Sequence, residues 1–415
     1  MTIRIIAVTF AFLLVAPAAV AQPLSLEDAI RVGEQQSPRL AAQRSALNAV
    51  SQQVGRAAEL PDPRLRVGIE NMPVTGSDRF RYDRDFMTMR TVGVTQDFPN
   101  EAKRSARNAR AERARDLEQT GLAAQRAMVH REVAQAWFDA FFAERVGAAL
   151  ETLVRQFADQ SDAAAPGIAR GRLTAAEGFM LRGAAEQARD RTIDQERVVR
   201  RARIALAAWL GDEAKRPLGT APDTSRLPHS RDALLTQLHE HPMLRILDER
   251  ENLARADVEL ARTTKKSDWT LEVGYAQRAP AFSNMVSVMV GMDLPWQTER
   301  RQDRDIASKI AEADQARAQR EDARRMHDAE VRGWLADYDA AGERLDRYRR
   351  VILPLVRERA QAALASYQGG RGELAPVLEA NRAITEAELA AIGAEAERAK
   401  AWANLSFLFP HEAGK

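Results

Sequence analysis

The chain has 415 residues, 29% of them charged, and its 61 Lys and Arg against 59 Asp and Glu leave a formal net charge of only +2. Bases and acids interleave along helical stretches instead of gathering into a basic patch, which argues against nucleic acid as a partner. The absence of cysteine removes disulfides, thiolate metal sites, cysteine nucleophiles and a lipid-modified cysteine anchor.

Residues 1–21 read as a secretory signal. Arg4 precedes an apolar run from Ile5 to Val15, and Ala19-Val20-Ala21 has the small-x-small pattern of a signal-peptidase site. The run is well short of the roughly 20 residues a spanning helix needs. A mature, exported chain is therefore expected to start near Gln22. After that point no stretch is long and apolar enough to cross a bilayer as a helix, so any membrane insertion would use strands.

The sequence repeats itself at a period near 200 residues. Pro38 corresponds to Pro242, Val67-Gly68-Ile69-Glu70 to Val273-Gly274-Tyr275-Ala276, Asp97-Phe98-Pro99 to Asp293-Leu294-Pro295, and Gly171-Arg172-Leu173 to Gly372-Glu373-Leu374. Offsets of 204, 206, 196 and 201 place the differences in the loops. Four parts follow: a signal peptide (1–21), a first repeat (22–216), a Pro-rich linker (217–228) and a second repeat (229–415).

Each repeat predicts the same elements in the same order. A helix of about 35 residues (Leu26 to Leu60; Arg231 to Lys265) precedes two alternating strands, and a helix of some 60 to 65 residues then starts near Glu101 or Glu299. A break follows at Pro166 to Gly171 or Gly369 to Gly372, and a return helix ends near Gly211 or Phe409. Val129, Val133, Trp137, Phe141, Leu150, Leu153 and Phe157 recur mostly at helical spacing, as do Val331, Leu335, Tyr338, Leu345 and Ile352. Such stripes suit helices packed side by side in coiled-coil fashion.

Parity sorts the strands into two faces. Counting back by twos from Asp293 gives Gly291, Met289, Ser287 and Met285, opposite Leu294, Met292, Val290, Val288 and Val286. Counting back from Asp97 gives Thr95, Gly93, Thr91, Met89 and Met87, opposite Phe98, Gln96, Val94, Val92, Arg90 and Phe86. In the partner strands Leu65, Val67, Ile69 and Trp269, Leu271, Val273, Tyr275 form apolar faces, with Arg66, Glu70 and Glu272 on the other side. Four strands with no second sheet to cover them fit a membrane barrel, in which lipid-facing and lumen-facing residues alternate. Four strands cannot close a barrel alone, so several chains must contribute.

At this point the chain resembles the outer membrane efflux proteins of the TolC type, over essentially the whole mature sequence. The resemblance rests on the repeat, the strand pair in each half, and the Pro-ended junctions Asp97-Phe98-Pro99 and Asp293-Leu294-Pro295 that hand strands over to long helices. It implies a mainly α fold with a small β part. Long coiled-coil-like helices would form a periplasmic α-barrel, and four strands per protomer would join a trimeric 12-stranded membrane β-barrel. The implied function is passive conduction across the outer membrane of a Gram-negative cell, driven by an inner-membrane pump through a periplasmic adaptor.

The same resemblance carries residue roles. Asp97, Pro99, Asp293 and Pro295 mark the barrel-to-tunnel junctions. Glu70, Glu272, Met87, Met89, Met285 and Met289 face the lumen. Gly171, Arg172, Leu173, Arg371, Gly372 and Leu374 form adaptor-docking tips, and Glu379 is the candidate acid at the periplasmic gate, with Pro376 standing where some relatives place a second acid. The alternative for Glu379 is an ordinary solvated helix carboxylate. The run from Leu294-Pro295-Trp296-Gln297 to Arg304 is similar to the heavy-metal branch of the family, and the four methionines would suit Cu(I) or Ag(I). Methionine as a space-filler in the strands is the competing account.

The chain carries no Gly-x-x-x-x-Gly-Lys-Ser/Thr loop, no Gly-x-Ser-x-Gly elbow and no His-Glu-x-x-His helix, so neither catalysis nor a cofactor is expected. His239 and His241 stand at i and i+2, which points them to different sides of a helix, and a helix end before Pro242 explains them better. No metal site is assigned. The rival readings are an exported coiled-coil adaptor or structural protein with a soluble β-domain, and the same channel serving drugs or protein secretion.

Overall fold

The structure, a computed structural model, describes residues 22–409 apart from 163, 170–172 and 238–239. The expected signal segment, the tip residues Gly171 and Arg172, and His239 therefore lie outside the described residues. The elements are α1 (Leu26–Gln36), α2 (Pro38–Ala57), β1 (Arg64–Glu70), β2 (Met89–Phe98), α3 (Glu101–Asp162), α4 (Ala164–Ala169) and α5 (Ala175–Leu210). They continue as α6 (Arg231–Thr236), α7 (Pro242–Thr263), β3 (Trp269–Gln277), β4 (Met285–Met292), α8 (Gln302–Arg347), α9 (Leu353–Gln368) and α10 (Leu374–Ser406).

The single opening helix expected in each half is two helices. Ser37 sits before Pro38 with ψ of 112°, because a residue preceding proline is pushed out of the α region. Its hydroxyl accepts from the Leu40 N–H at 3.3 Å, so one residue ends α1 and caps α2. In the second half α6 stops at Thr236 and α7 starts at Pro242.

The 62-residue α3 is about 93 Å long at 1.5 Å per residue. Residues 164–169, which include Pro166 and Gly167 of the expected break, are helical. Thr174 then opens α5 with a reciprocal capping box to Glu177. In the second half α8 and α9 join through a π turn at Tyr348–Ile352. Pro354 follows at the start of α9; it cannot donate to the helix ladder and its ring crowds the preceding turn, which the wider turn relieves.

Helix α3 is the spine against which α1, α2, α5, α7 and α10 pack. Trp137, Phe138, Val129 and Val133 of α3 are fully buried with Leu24, Leu40, Leu206 and Leu210. Gly33 permits this approach, because a Cβ there would stand 2.7 Å from the Val133 side chain. A second core gathers Leu234, Leu244, Val331, Leu335, Tyr338 and Leu405. The two halves pin their entry segments alike. Trp137 Nε1 donates to the Leu24 carbonyl 113 residues earlier at 3.1 Å, and the Tyr338 hydroxyl donates to the Thr224 carbonyl 114 residues earlier at 2.9 Å.

The strands form one antiparallel sheet in the order β1-β2-β3-β4, in which the β2–β3 pair joins the two halves. Both strands before the long helices are shorter than expected. β2 starts at Met89 instead of Phe86, because the Asp85 carboxylate accepts from the Met87 and Thr88 N–H groups at 2.7 and 3.2 Å and holds a turn there. β4 spans Met285–Met292.

Candidate functional site

The register aligns one face across all four strands. Its rows run Arg64, Thr95, Glu272, Met289 and their neighbours: Thr95 opposes both Arg64 and Glu272, Glu272 opposes Met289, Glu70 opposes Met89, and Ala276 opposes Met285. Glycines pave its middle, with Gly93 opposite Gly274. A Cβ on Gly274 would stand 2.8 Å from the Ser287 hydroxyl, so any side chain there would have to displace it. Met87, expected on this face within the strand, lies in the turn that precedes β2.

Ion pairs tie this polar face together from strand to strand. Arg66 on β1 reaches over β2 to both carboxylate oxygens of Glu272 at 3.0 and 3.1 Å. Arg64 holds both oxygens of Asp97 at 3.0 and 2.9 Å, and the Thr270 hydroxyl donates to Asp97 at 3.2 Å. Glu70 accepts from the Thr91 hydroxyl at 3.2 Å. The arginines of these pairs are exposed and Asp97 and Glu272 are partly so, each charge having a partner across the strands.

The opposite face is apolar and uncovered. Val67 is 76% exposed, Leu65 69%, Val286 70% and Val290 63%, values that no soluble core would leave on a sheet. Aromatic residues flank it. Phe98 pairs with Trp269 at the end nearest the helices, and Tyr275 lies toward the other end. No helix of the described residues is long and apolar enough to cross a membrane. Nothing among them covers this face or the outer edges of β1 and β4.

At the strand-to-helix junction the sheet is clamped to the helices by a residue that the spacing arguments missed. Asp268, just before β3, accepts from the Asn100 N–H and from its side-chain amide, both at 2.9 Å, and is paired with Lys103 on α3. Burial pushes the Asp268 carboxyl up, but the Lys103 ammonium and the Asn100 N–H outweigh it and hold the group below the usual carboxylate value. The Asp293 N–H donates to the Asp268 carbonyl at 3.2 Å, which gathers both junction segments on one residue. Pro99 and Pro295 follow the strand ends, where no further ladder donor is required.

At the other end of the long helices, Leu173 and Leu374 are packing residues. Leu374 is 7% exposed and joins Leu153, Phe157, Leu181, Val377 and Leu378 in a small core against which Leu173 rests. Of the residues expected at the docking tips, Leu374 is buried, Leu173 is half-buried against the same core, and Arg371 is exposed. Gly370 has φ of +68°, and a Cβ on Gly372 would come 2.7 Å from the Ser366 hydroxyl, so this turn requires glycine at both places. Glu379 on α10 is exposed and pairs with Arg359 of α9 at 3.0 Å. It borders an open pocket of about 240 Å³ between α3, α5 and α10 that includes Arg191 and Arg382.

A histidine pair also escaped sequence reasoning, since its members are 86 positions apart in numbering (241 to 327). The His241 and His327 rings stack with centroids 4.3 Å apart, and both are buried. Burial drives the His241 pKa down to about 3, with the His327 ring and the Arg131 guanidinium adding to the shift. No group of three or more His, Cys, Asp or Glu positioned to hold a metal ion occurs among the described residues.

No protein-family model matches the chain. It is 24% identical over 383 residues to the cobalt-zinc-cadmium resistance protein CzcC of Cupriavidus metallidurans, an alignment that covers 91% of this chain and 88% of that protein. Its fold is that of CusC, described for its transmembrane channel formation, with a TM-score of 0.78, 16% identity and 92% of each chain covered. It is also that of the outer membrane protein VceC from Vibrio cholerae, with a TM-score of 0.76, 18% identity, and 92% of this chain and 94% of VceC covered.

Proposed function

We propose that this chain, which has the fold of the TolC-like outer membrane channels, is the outer membrane conduit of a tripartite efflux system for heavy-metal cations. It is a passive channel and not an enzyme. Three copies pool their sheets into a 12-stranded barrel, and their helices extend into the periplasm to meet an adaptor that links them to an inner-membrane pump. The observation that carries this reading is the open sheet, which has a hydrated, ion-paired face, an exposed apolar face, and two unpaired edges that a second and third copy can satisfy. A soluble adaptor with a β-domain would cover one of those faces.

The cargo reading rests on the likeness to CzcC along 91% of the chain. The polar face supports it, because Arg64 and Arg66 are offset by Asp97 and Glu272, which leaves Glu70 as the uncompensated charge and favours cations in the pore. Methionines at positions 89, 285 and 289 add soft thioethers to that wall without forming a closed binding site. Leu378 and its neighbours set the helix end on which Glu379 would face the periplasmic entrance.

Deletion of the gene tests the function. Tolerance to cobalt, zinc and cadmium, or to copper and silver, is expected to fall and to return with the wild-type gene. Unchanged metal tolerance combined with a new sensitivity to organic drugs would refute the cargo and keep the channel. A monomer found only in the soluble periplasmic fraction would refute both.

A further inference from the structure

The turn between β1 and β2 carries Arg79, Arg81 and Arg84, and Arg90 opens the apolar face of β2 in the row of Ile69 and Gln277. All four arginines are exposed, and none has a carboxylate partner among the described residues, although Asp78, Asp83 and Asp85 share the segment. Asp85 is engaged instead by the Met87 and Thr88 N–H groups. Two of the arginines lie on aromatic rings: Arg79 is 4.8 Å from the Phe80 centroid and Arg90 is 5.5 Å from that of Tyr82. On the neighbouring β3–β4 turn Arg278 lies 4.9 Å from the Phe282 centroid and donates to the Phe86 carbonyl. Phe80 and Tyr82 are themselves 58% and 53% exposed.

Arg90 is the one charged residue on the apolar face of the four strands, and it stands at the end away from the helices. Arg90 to Phe98 is nine residues, about 27 Å along the strand, within the roughly 9–11 residues that a tilted strand uses to cross an apolar bilayer core. A guanidinium at the outer margin of that band, backed by rings that lie at headgroup level, matches phosphate oxygens in charge and geometry. We infer that Arg79 and Arg90, held by Phe80 and Tyr82, form a collar that binds the phosphate-bearing headgroups of lipids in the outer leaflet. The inference rests on the membrane reading of the sheet.

The test uses trimer purified from outer membranes and exposed in detergent to lipid A with its phosphates or to the same lipid dephosphorylated, with retained lipid counted by native mass spectrometry. Retention of the phosphorylated lipid is expected to exceed that of the dephosphorylated one. The paired Arg79→Gln and Arg90→Gln substitutions should lower it by about fivefold per cation, the equivalent of about 1 kcal/mol for each charge near an anionic surface. The corresponding Lys substitutions should retain most of it. Equal retention of both lipids by the wild-type trimer, or undiminished retention by a folded Gln variant, overturns the proposal while leaving the channel in place. If the Gln variant yields no trimer, the wild-type comparison of the two lipids decides. A chain that never inserts into the membrane overturns this proposal and the channel together.

Discussion

Trp137 illustrates how a single side chain serves two purposes. It fills the centre of the largest core at 0% exposure, and its indole N–H ties α3 to the entry strand at Leu24. Trp137→Ala is expected to cost about 3–5 kcal/mol, chiefly through the cavity it leaves, read as a lower midpoint in chemical denaturation. His241 gives a pH dependence with a definite sign. Its pKa is depressed from 6.5 to about 3, so the folded state binds fewer protons than the unfolded one. Its neutral-state stability is intact above pH 6.5 and is lost as pH falls toward 3. The midpoint of unfolding should drop over that window more steeply in the wild type than in His241→Phe, which an acid titration of thermal unfolding would reveal. The stacking of His241 on His327 had no trace in the sequence, because nothing in local spacing joins the cap of α7 to the middle of α8. Likewise Asp268 was invisible: it is an ordinary acidic residue until the fold brings Asn100 and Lys103 to it.

Among the elements, the strands were the most legible and their ends the least. Strict alternation sets which residues share a face, and the rows counted from Asp97 and Asp293 line up in the register where the strands pair, from Met89 to Asp97 and from Met285 to Gly291. What alternation cannot reveal is where pairing stops, and Met87 was lost to the turn that Asp85 organises. Helix periodicity likewise named the buried stripe of α3 but gave no warning that Leu173 and Leu374 would turn inward, since an apolar residue beside a turn can serve either packing or docking. Two elements make predictions of their own. Gly274→Val places a branched side chain where 2.8 Å is available, so it should disrupt β3–β4 pairing and abolish the heat-resistant trimer band on a gel. Thr174→Ala removes the capping box that opens α5 and should cost about 1 kcal/mol, detected as faster amide exchange confined to the first turns of α5.

On the scale of the whole molecule, one sheet and one helical spine divide the labour. The sheet, which only β2 and β3 stitch together across the halves, offers a polar face and an apolar face and has its β1 and β4 edges unpaired among the described residues. The helices continue directly from it: Asp97 ties β2 to β1 and β3, Asp268 locks the sheet to α3, and α3 carries the structure for about 93 Å. The repeat was readable from the sequence because matching landmarks survive in both halves, whereas adaptor, pump and trimer were implied by the family resemblance alone and by no residue pattern. The claim on which everything else depends is that Val288 faces lipid and its neighbour Ser287 faces water. Because the chain has no cysteine, Ser287→Cys and Val288→Cys each introduce a single thiol into intact cells. A membrane-impermeant maleimide should label Ser287→Cys through the aqueous pore and leave Val288→Cys unlabelled. Equal labelling of the two, or the reverse order, would contradict the account.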